Sequence, residues 1–305
     1  MRIGIVGIGG VGGYFGGKLA REYGQSNKHE IIFIARGEHL FAIKKSGLTL
    51  FTKEGDYVAK PTLATDTPTE AGVFDLVFFC VKSYSLTSSA KQVSGNINKN
   101  TVVIPLLNGV DIADRLHSIL PAADIVSGCV YISSFIEKPG VVRQAGGACK
   151  LIFGPDDQSA KQYQYILDIL LQAKINAELT YKISTALWTK YLFICPLAGL
   201  TTATNKTFGE IMENAGLRER LKKMIKEVKS IADARKIELP EDIVDITLES
   251  IGRFAYDTKT SMQMDRERGK DTEIDIFTKY IIKSGKELDI PTPLHNEIYS
   301  QLKMG

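Results

Sequence analysis

The sequence predicts an α/β domain built on a parallel sheet, residues 1–179, followed by an all-α domain, residues 180–305. Three observations support this division. A glycine-rich turn joins a β-branched run to a helical stretch at the start of the chain, and further short apolar runs alternate with helical stretches up to residue 179. Beyond residue 180, strand patterns are few and helical periodicity dominates. A length of 305 residues suits two domains of about 150 residues each.

The first element is a strand that ends in a glycine motif. Ile3 to Val6 form a β-branched run, and a helix-forming stretch follows the motif. In such a turn the first glycine permits the bend, the second lets a pyrophosphate approach the backbone, and the third lets the helix pack closely on the strand. The helix N-terminus then offers N–H groups to an anion. We therefore predict a Rossmann-type dinucleotide site formed by Gly7, Ile8, Gly9, Gly10, Val11 and Gly12.

The second predicted strand, Glu30 to Ala35, ends at Arg36. In this type of domain the residue that ends the second strand meets the adenosine ribose. A carboxylate there holds the 2′-hydroxyl of NAD, whereas an arginine suits the 2′-phosphate of NADP. Arg36 therefore predicts NADPH/NADP+ as the cofactor; the alternative is an arginine that merely ends a strand in solvent.

Two further buried strands are predicted, and each ends at a polar residue. Phe74 to Val81 leads to Lys82, and Thr101 to Pro105 leads to Asn108. Because the carboxyl ends of parallel strands share one edge of a sheet, we expect both side chains beside the glycine turn. Lys82 suits a phosphate or a carboxylate, and Asn108 suits a ribose, a carboxamide or a substrate oxygen. The alternatives are a solvated lysine and an ordinary Asn-Gly turn.

The remainder of the first domain carries weaker patterns. Residues 47–59 predict a small hairpin, and residues 158–171 a helix. The Val-, Ser- and Gly-rich stretch 125–154 is expected to form the far side of the same sheet and to close the domain.

Composition excludes several classes of function. The formal net charge of +3 gives no reason to expect binding to nucleic acid or to a membrane surface. The four cysteines and four histidines show no metal-ligand spacing, so no metal site is predicted. The glycine motif begins too early for a signal peptide, and we expect a cytoplasmic protein. Oligomeric state cannot be read from the sequence, and a homo-oligomer is compatible with it.

The second domain opens with an unusual lysine. Between Ala186 and Leu200 the only charged residue is Lys190, and its neighbours one helical turn away are apolar. A lysine in such surroundings either extends its ammonium to water or meets an anion, and desolvation lowers the pKa of a lysine towards the range useful for proton donation. Lys190 is therefore a catalytic candidate.

Three further helices are expected over residues 211–235, 241–254 and 272–288. Glu273 would open the last of them, where an acidic residue is also favoured by the helix dipole alone. The charged run 218–229 suits a solvated face, with a subunit contact as the alternative.

Several motifs occur together in one order along nearly the whole chain. They are Gly7-x-Gly9-x-x-Gly12, Arg36-Gly37, Val81-Lys82, Asn108-Gly109, Trp188-x-Lys190, Thr260-Ser261-Met262-x-x-Asp265, Thr272-Glu273-Ile274-Asp275 and Ile290-Pro291-Thr292-Pro293. In this combination the sequence resembles the ketopantoate reductase family (2-dehydropantoate 2-reductase).

The resemblance implies an NADPH-binding Rossmann-type domain, a helical domain, and a small 2-oxo acid as substrate in the cleft between them. The implied reaction is the reduction of 2-dehydropantoate to (R)-pantoate on the route to pantothenate and coenzyme A. Lys190 would donate the proton, and Asn108 would contact both cofactor and substrate. Lys82 and Glu273 would contact the cofactor, and Ser261 would bind the substrate.

The sequence departs from the family pattern at positions where the resemblance implies substrate binding. Family members commonly carry asparagines one and two turns after the catalytic lysine, where this chain has Ile194 and Ala198. Another asparagine commonly precedes a Gly-Glu pair, where this chain has Phe208. Thr201, Thr202, Thr204 and Asn205 are nearby candidates to replace the missing donors. A pocket built to hydrogen-bond a hydroxyl rejects substrates that lack one, whereas an apolar pocket discriminates poorly between them. The departures therefore leave open a different 2-oxo acid as substrate.

Two other interpretations remain open. A non-catalytic NADP(H)-sensing protein would share the cofactor fold but would have no need for Lys190 and Glu273. A 3-hydroxyacid or polyol-phosphate dehydrogenase would share the glycine turn and a helical second domain, but the stretches 260–265 and 291–293 argue against it.

Overall fold

The computed structural model describes residues 1–304. The chain divides into two compact units, the first spanning Met1–Ile183 and the second beginning at Ser184. Along the chain this boundary lies four residues after the one expected from composition. The first unit mixes strands and helices, and the second is helical over its described length.

The first unit contains two sheets. Its strands, in chain order, are β1 (Arg2–Val6), β2 (Glu30–Ile34), β3 (Leu48–Phe51), β4 (Tyr57–Ala59), β5 (Leu63–Thr65), β6 (Leu76–Phe79), β7 (Val102–Pro105), β8 (Asp124–Ile125), β9 (Gly128–Lys138), β10 (Val141–Phe153) and β11 (Asn176–Leu179). Among the described residues, the larger sheet has six strands in the order β5-β2-β1-β6-β7-β8. All of its strand pairs are parallel. This confirms the four strands and the parallel sheet predicted from the apolar runs.

The central strands are continuous apolar runs in the sequence because both faces of the sheet are covered. Every residue of β6 and of β7 is buried, as are the last four residues of β1 and of β2. Buried parallel strands are typically Val- and Ile-rich without alternation. The fold class is therefore encoded by these short runs and by the glycine turn between the first strand and its helix.

The prediction for residues 125–154 is wrong. This stretch forms the long antiparallel hairpin β9–β10, which belongs to the second sheet rather than to the far side of the first. Strand β10 also pairs in parallel with β3 and β11, so the predicted small hairpin β3–β4 joins this same sheet. These partners are distant in sequence, and local patterns do not specify which sheet a strand joins.

The helices of the first unit are α1 (Gly10–Tyr23), α2 (Gly37–Ser46), α3 (Leu86–Val93), α4 (Ile112–Ile119) and α5 (Gln164–Gln172). Helix α1 contacts strands of both sheets. A Cβ at Gly16 would lie 3.2 Å from Ile5 and Phe33 of the larger sheet, and a Cβ at Gly17 would lie 3.2 Å from Leu50 of the second sheet. The small residues of α1 thus allow both sheets to pack on one helix.

The helices of the second unit are α6 (Ile183–Thr204), α7 (Phe208–Glu213), α8 (Ala215–Ala234), α9 (Ile243–Gly252), α10 (Ser261–Glu267), α11 (Tyr280–Leu288) and α12 (Pro293–Met304). The single helix predicted over residues 211–235 is in fact α7 and α8. The break is at Asn214, which is extended (ψ 109°), and its side-chain oxygen accepts a hydrogen bond from the N–H of Leu217. A side chain of this type favours a new helix N-terminus over continuation.

The helix predicted over residues 272–288 also differs. Residues 271–273 are not helical, Asp275–Lys279 form a π-helical turn, and α11 begins at Tyr280. The backbone N–H of Lys279 bonds the carbonyl of Ile274, five residues earlier. Glu273 therefore precedes the helix rather than opening it.

Helix α6 is the one helix of the described chain that is long and apolar enough to cross a membrane. Of its most apolar window, 56% is buried inside the protein. Buried core helices pass the same test of length and composition, so this is weak evidence for a membrane span.

Candidate functional site

The structure brings four of the predicted site positions to one edge of the larger sheet. Strands β2, β1, β6 and β7 are neighbours in that order and run parallel. The glycine turn follows β1, Arg36 follows β2, Lys82 follows β6 and Asn108 follows β7. Ligands of open parallel sheets bind at this carboxyl edge.

The glycine turn is closely packed except at Gly9. Gly7 has a φ of +93°, which a residue with a side chain rarely adopts. A Cβ at Gly12 would lie 2.0 Å from the carbonyl oxygen of Gly7, and a Cβ at Gly10 would lie 2.0 Å from the carbonyl oxygen of Ser134 on β9. A Cβ at Gly9 would meet nothing within 4 Å. The turn therefore packs against its own strand and β9, while the space next to Gly9 is open to a ligand.

The electrostatics of this turn suit an anion. Helix α1 begins at Gly10, has no acidic residue in its first turn, and receives no side-chain cap from Gly9. The first intrahelical bond runs from the Gly13 N–H to the Gly9 carbonyl, so the preceding N–H groups have no acceptor within the helix. Burial raises the pKa of the nearby Cys80 thiol, which stays neutral and does not repel a phosphate. The residues present thus fit the pyrophosphate of a dinucleotide.

Arg36 is exposed and immediately precedes α2. Its backbone is extended, and Gly37 follows with a φ of +63°, so the chain turns sharply at this point. An exposed guanidinium at the end of the second strand is available to a 2′-phosphate.

His39, one turn into α2, is a site neighbour that sequence reasoning missed. Its Nδ1 accepts a hydrogen bond from the backbone N–H of Gly140 in the β9–β10 turn (3.0 Å), and its ring lies against the backbone of Ile8 in the glycine turn. Burial lowers the pKa of this imidazole, which favours the neutral form that the Gly140 contact requires. No local sequence pattern indicates this residue, because both partners are distant in sequence.

Lys82 and Asn108 are both half-buried. Lys82 has an extended backbone and begins a short 3₁₀ turn, Ser83–Ser85. Asn108 is followed by Gly109 with a φ of +112°, so the Asn-Gly pair does form a turn. The turn lies at the carboxyl edge of the sheet, and the two interpretations of Asn108 are therefore compatible.

In the second unit, Lys190 is the only charged residue of the 22-residue helix α6. Lys190 is half-buried, as are Ala186, Leu187 and Ile194 one turn away. Trp188 and Tyr191 on either side of it are 4% and 1% exposed and fix the helix in the core. An ammonium in an apolar setting on a rigid helix is suited to a single, defined proton transfer.

Glu273 and Ser261 lie in different environments. Glu273 is only 5% exposed, in the stretch before the π-helical turn. Ser261 is exposed at the start of α10. The preceding residue, Thr260, caps α10, and its Oγ1 lies 2.9 Å from Oγ1 of Thr201 on α6. This hydrogen bond ties the segment carrying Ser261 to the helix carrying Lys190.

The positions that depart from the family pattern are apolar in structure as well as in sequence. Ile194 is half-buried and Ala198 is 1% exposed. Phe208 is buried in an aromatic cluster: its ring centroid lies 6.3 Å from Phe193 and 5.5 Å from Phe254. Phe208 therefore contributes to packing between aromatic rings.

Three of the candidate replacement donors are engaged within the unit. Oγ1 of Thr201 bonds Thr260, Oγ1 of Thr204 donates to the Leu200 carbonyl (2.7 Å), and Oδ1 of Asn205 accepts from Gln263. The hydroxyl of Thr202 is buried and has no hydrogen-bond partner among the described residues. Thr201 and Thr204 thus have partners already, whereas the Thr202 hydroxyl has none.

Comparison with known proteins identifies the family. Residues 3–158 match the model of ketopantoate reductase PanE/ApbA, and residues 182–305 match the model of its C-terminal domain. A crystal structure of a PanE/ApbA family ketopantoate reductase from Ralstonia eutropha JMP134 is 30% identical, with a TM-score of 0.90 over 100% of this chain and 98% of that one.

Two proteins are similar to this chain in sequence over nearly its whole length. The chain is 27% identical to an uncharacterized oxidoreductase, YkpB, of Bacillus subtilis, over 100% of this chain and 98% of the relative. It is 26% identical to a 2-dehydropantoate 2-reductase of Mesorhizobium japonicum, over 96% and 94% of the two chains. The matching family models, together with the architecture and the dinucleotide turn, show that this chain belongs to the ketopantoate reductase family and is a nicotinamide-dinucleotide oxidoreductase acting on a CH–OH group.

Proposed function

We propose that the protein reduces a 2-oxo acid to the corresponding 2-hydroxy acid with NADPH, and that Lys190 donates the proton. The first candidate substrate is 2-dehydropantoate, giving (R)-pantoate for pantothenate and coenzyme A synthesis in the cytoplasm. The observation that carries the proposal is the lone lysine of an otherwise uncharged, core-packed helix, in a chain whose other unit presents a dinucleotide turn.

The cofactor residues proposed are those at the carboxyl edge of the parallel sheet, together with Glu273. The N-terminus of α1 would hold the pyrophosphate, with residues 7–12 as the turn, and Arg36 would hold the 2′-phosphate. Lys82 and Asn108 would contact the cofactor from the neighbouring strand ends. When bound, NADPH supplies a hydride to the 2-oxo carbon.

Lys190 would act on the oxygen of the same carbonyl. As the carbon is reduced, negative charge develops on this oxygen, and an ammonium placed beside it stabilises the charge and then transfers a proton. The lysine is left neutral and regains a proton from solvent. Asn108 and Ser261 would orient the substrate by hydrogen bonds to its carbonyl and carboxylate oxygens.

The experiment that tests this role compares Lys190→Ala with Lys223→Ala. Lys223 is an exposed helical lysine of the same unit, 3.9 Å from Glu219, and serves as a matched control. We expect Lys190→Ala to lower kcat by about 10²–10⁴-fold. NADPH affinity should stay within a few fold, and Lys223→Ala should behave as the parent protein. Near-parental turnover by Lys190→Ala would remove this residue from the mechanism.

A second candidate function is the reduction of a 2-oxo acid with an apolar side chain. The engaged threonines and the apolar residues Ile194 and Ala198 favour it, because an apolar wall gives a substrate hydroxyl no partner. In the variant Ile194→Asn, an amide stands one turn after Lys190. We expect kcat/KM to rise for hydroxyl-bearing 2-oxo acids relative to alkyl ones, and an unchanged ratio would count against an Ile194 role in selection.

A further inference from the structure

The residue after Lys190, Tyr191, is buried among aromatic rings. Its ring centroid lies 6.2 Å from that of Phe277 in a stacked arrangement, 5.9 Å from Tyr280 and 5.8 Å from Trp188 edge-on. Trp188 and Tyr191 belong to the catalytic helix α6, whereas Phe277 belongs to the π-helical turn and Tyr280 begins α11. The two segments are therefore packed together by rings immediately beside Lys190.

The hydroxyl of Tyr191 makes a polar contact within this apolar cluster. It donates to the backbone carbonyl of Ile276 at 2.6 Å and lies 3.0 Å from the carbonyl of Phe277. Both contacts are buried, and a buried hydroxyl or carbonyl that loses its partner destabilises the fold. The bond thus fixes the π-helical turn to α6 at a definite register.

The turn that Tyr191 contacts is π-helical. The N–H of Lys279 donates to the carbonyl of Ile274, five residues earlier, at 3.3 Å, and turns of this kind are rare and occur mostly at functional sites. Glu273 comes immediately before it and is 5% exposed. Whatever fixes this turn therefore also restrains the backbone of Glu273.

A series of buried polar side chains also contacts Tyr191. Its hydroxyl lies within hydrogen-bonding reach of the Cys195 thiol one turn later, and Sγ of Cys195 lies 3.7 Å from Nε2 of His295. Nδ1 of His295 is 2.6 Å from the Glu227 carboxylate, which also accepts the N–H groups of Leu294 and His295 at the start of α12. These contacts join α6, α8 and α12 and restrict where the Tyr191 hydroxyl can be.

We propose that Tyr191 is a positioning residue of the reductase: its hydroxyl bonds the carbonyls of Ile276 and Phe277 and so holds Glu273 in place relative to Lys190. The proposal rests on the proposed function, in which Lys190 donates the proton and Glu273 contacts the cofactor. It assigns no chemical step to Tyr191, which acts only through the segment that it holds.

The test is the variant Tyr191→Phe, which removes one oxygen and keeps the ring. Its matched control is Tyr23→Phe, because Tyr23 is 1% exposed and its hydroxyl also donates to a backbone carbonyl, that of Ile169, at 3.0 Å in the first unit. Loss of the buried hydroxyl should destabilise both variants. Unfolding of each is measured first, so that kinetic differences are compared between proteins of similar stability.

We expect Tyr191→Phe to lower kcat about tenfold and to raise the Kd for NADPH several fold, with the KM for the 2-oxo acid within about twofold of the parent. The Kd rises because Glu273, a cofactor contact in the proposed function, becomes less well placed. Tyr23→Phe should keep the parental kcat and the parental Kd for NADPH. A Tyr191→Phe enzyme with parental kcat and parental Kd would overturn the proposal.

An amide-exchange measurement separates this proposal from the proposed function. In Tyr191→Phe the amides of residues 273–280 should exchange at least several fold faster than in the parent, whereas in Tyr23→Phe they should not. This readout does not depend on turnover, so it still applies if no 2-oxo acid is reduced. Unchanged exchange in this segment would show that the hydroxyl does not hold it.

Discussion

Alanine at Gly9 should separate dinucleotide binding from folding. The backbone of Gly9 has a φ of −84° and a ψ of −153°, which an alanine tolerates, and its Cβ would meet nothing within 4 Å. The free protein should therefore accept the methyl group, with a change in the free energy of unfolding within about 1 kcal/mol. The same methyl group occupies the space that the pyrophosphate needs.

The expected loss of affinity follows from the bonds that the methyl group displaces. A hydrogen bond to a charged group contributes about 1.5–3 kcal/mol. Displacing one such bond weakens the Kd by about 10–150-fold, and two would weaken it further. NADPH and NADH should be affected alike, because both carry the same pyrophosphate.

The assay is a fluorescence titration of NADPH into the parent and Gly9→Ala proteins, with thermal unfolding of each. Gly12→Ala is the contrasting variant, since its Cβ would lie 2.0 Å from the Gly7 carbonyl oxygen and should destabilise the free protein by about 1–3 kcal/mol. Parental NADPH affinity in a folded Gly9→Ala protein would refute the assignment of this open space to the pyrophosphate. If Gly9→Ala lowered the free energy of unfolding as much as Gly12→Ala does, the space next to Gly9 would not be open.

Two further predictions concern the neighbourhood of this turn. Arg36→Ala should weaken NADPH binding by about 10–150-fold and leave NADH binding nearly unchanged, since a charge-assisted bond to the 2′-phosphate is lost; equal losses in titrations of the two cofactors would remove Arg36 from the 2′-phosphate site. Because burial lowers the pKa of His39 below its unfolded value of about 6.5, its contribution to stability is present above that pH and is lost as the pH falls below it. In His39→Asn, an amide oxygen that does not titrate can accept the hydrogen bond from the Gly140 N–H. Between pH 7.5 and pH 5.5, about one unit either side of 6.5, the free energy of unfolding should therefore fall less in this variant than in the parent. Equal losses would show that His39 does not contribute.

The parts of the fold that depend on local pattern could be predicted from the sequence. Strands β1, β2, β6 and β7 are continuous apolar runs that end in glycine or polar residues, and a parallel sheet places those ends on one edge. The hairpin β9–β10 was assigned to the wrong sheet, because its partners β3 and β11 are paired by tertiary packing that a local run of valines and glycines does not encode. Strand β11, four residues with no strong pattern, was not predicted for the same reason.

The candidate site follows the same rule. Gly9, Arg36, Lys82 and Asn108 are candidates because each follows a strand end, and Lys190 is a candidate because it is the only charged residue of an apolar helix. The contacts of His39 with Gly140 and of Tyr191 with Ile276 span 101 and 85 residues, and no spacing rule connects them. The π-helical turn after Glu273 was predicted as an ordinary helix, since its apolar spacing is nearly the same and only tertiary contacts distinguish the two.

The most direct test of the central claim is the steady-state oxidation of NADPH by the purified protein, offered ketopantoate and a panel of alkyl and aromatic 2-oxo acids, with Lys190→Ala in parallel. The account predicts turnover of at least one 2-oxo acid by the parent protein and a loss of about 10²–10⁴-fold in kcat in the variant. Turnover of ketopantoate above the others would support the first candidate substrate, and preference for an alkyl or aromatic acid would support the second. Tight NADPH binding without oxidation by any acid of the panel would contradict the account and favour a protein that binds the cofactor without catalysing its oxidation.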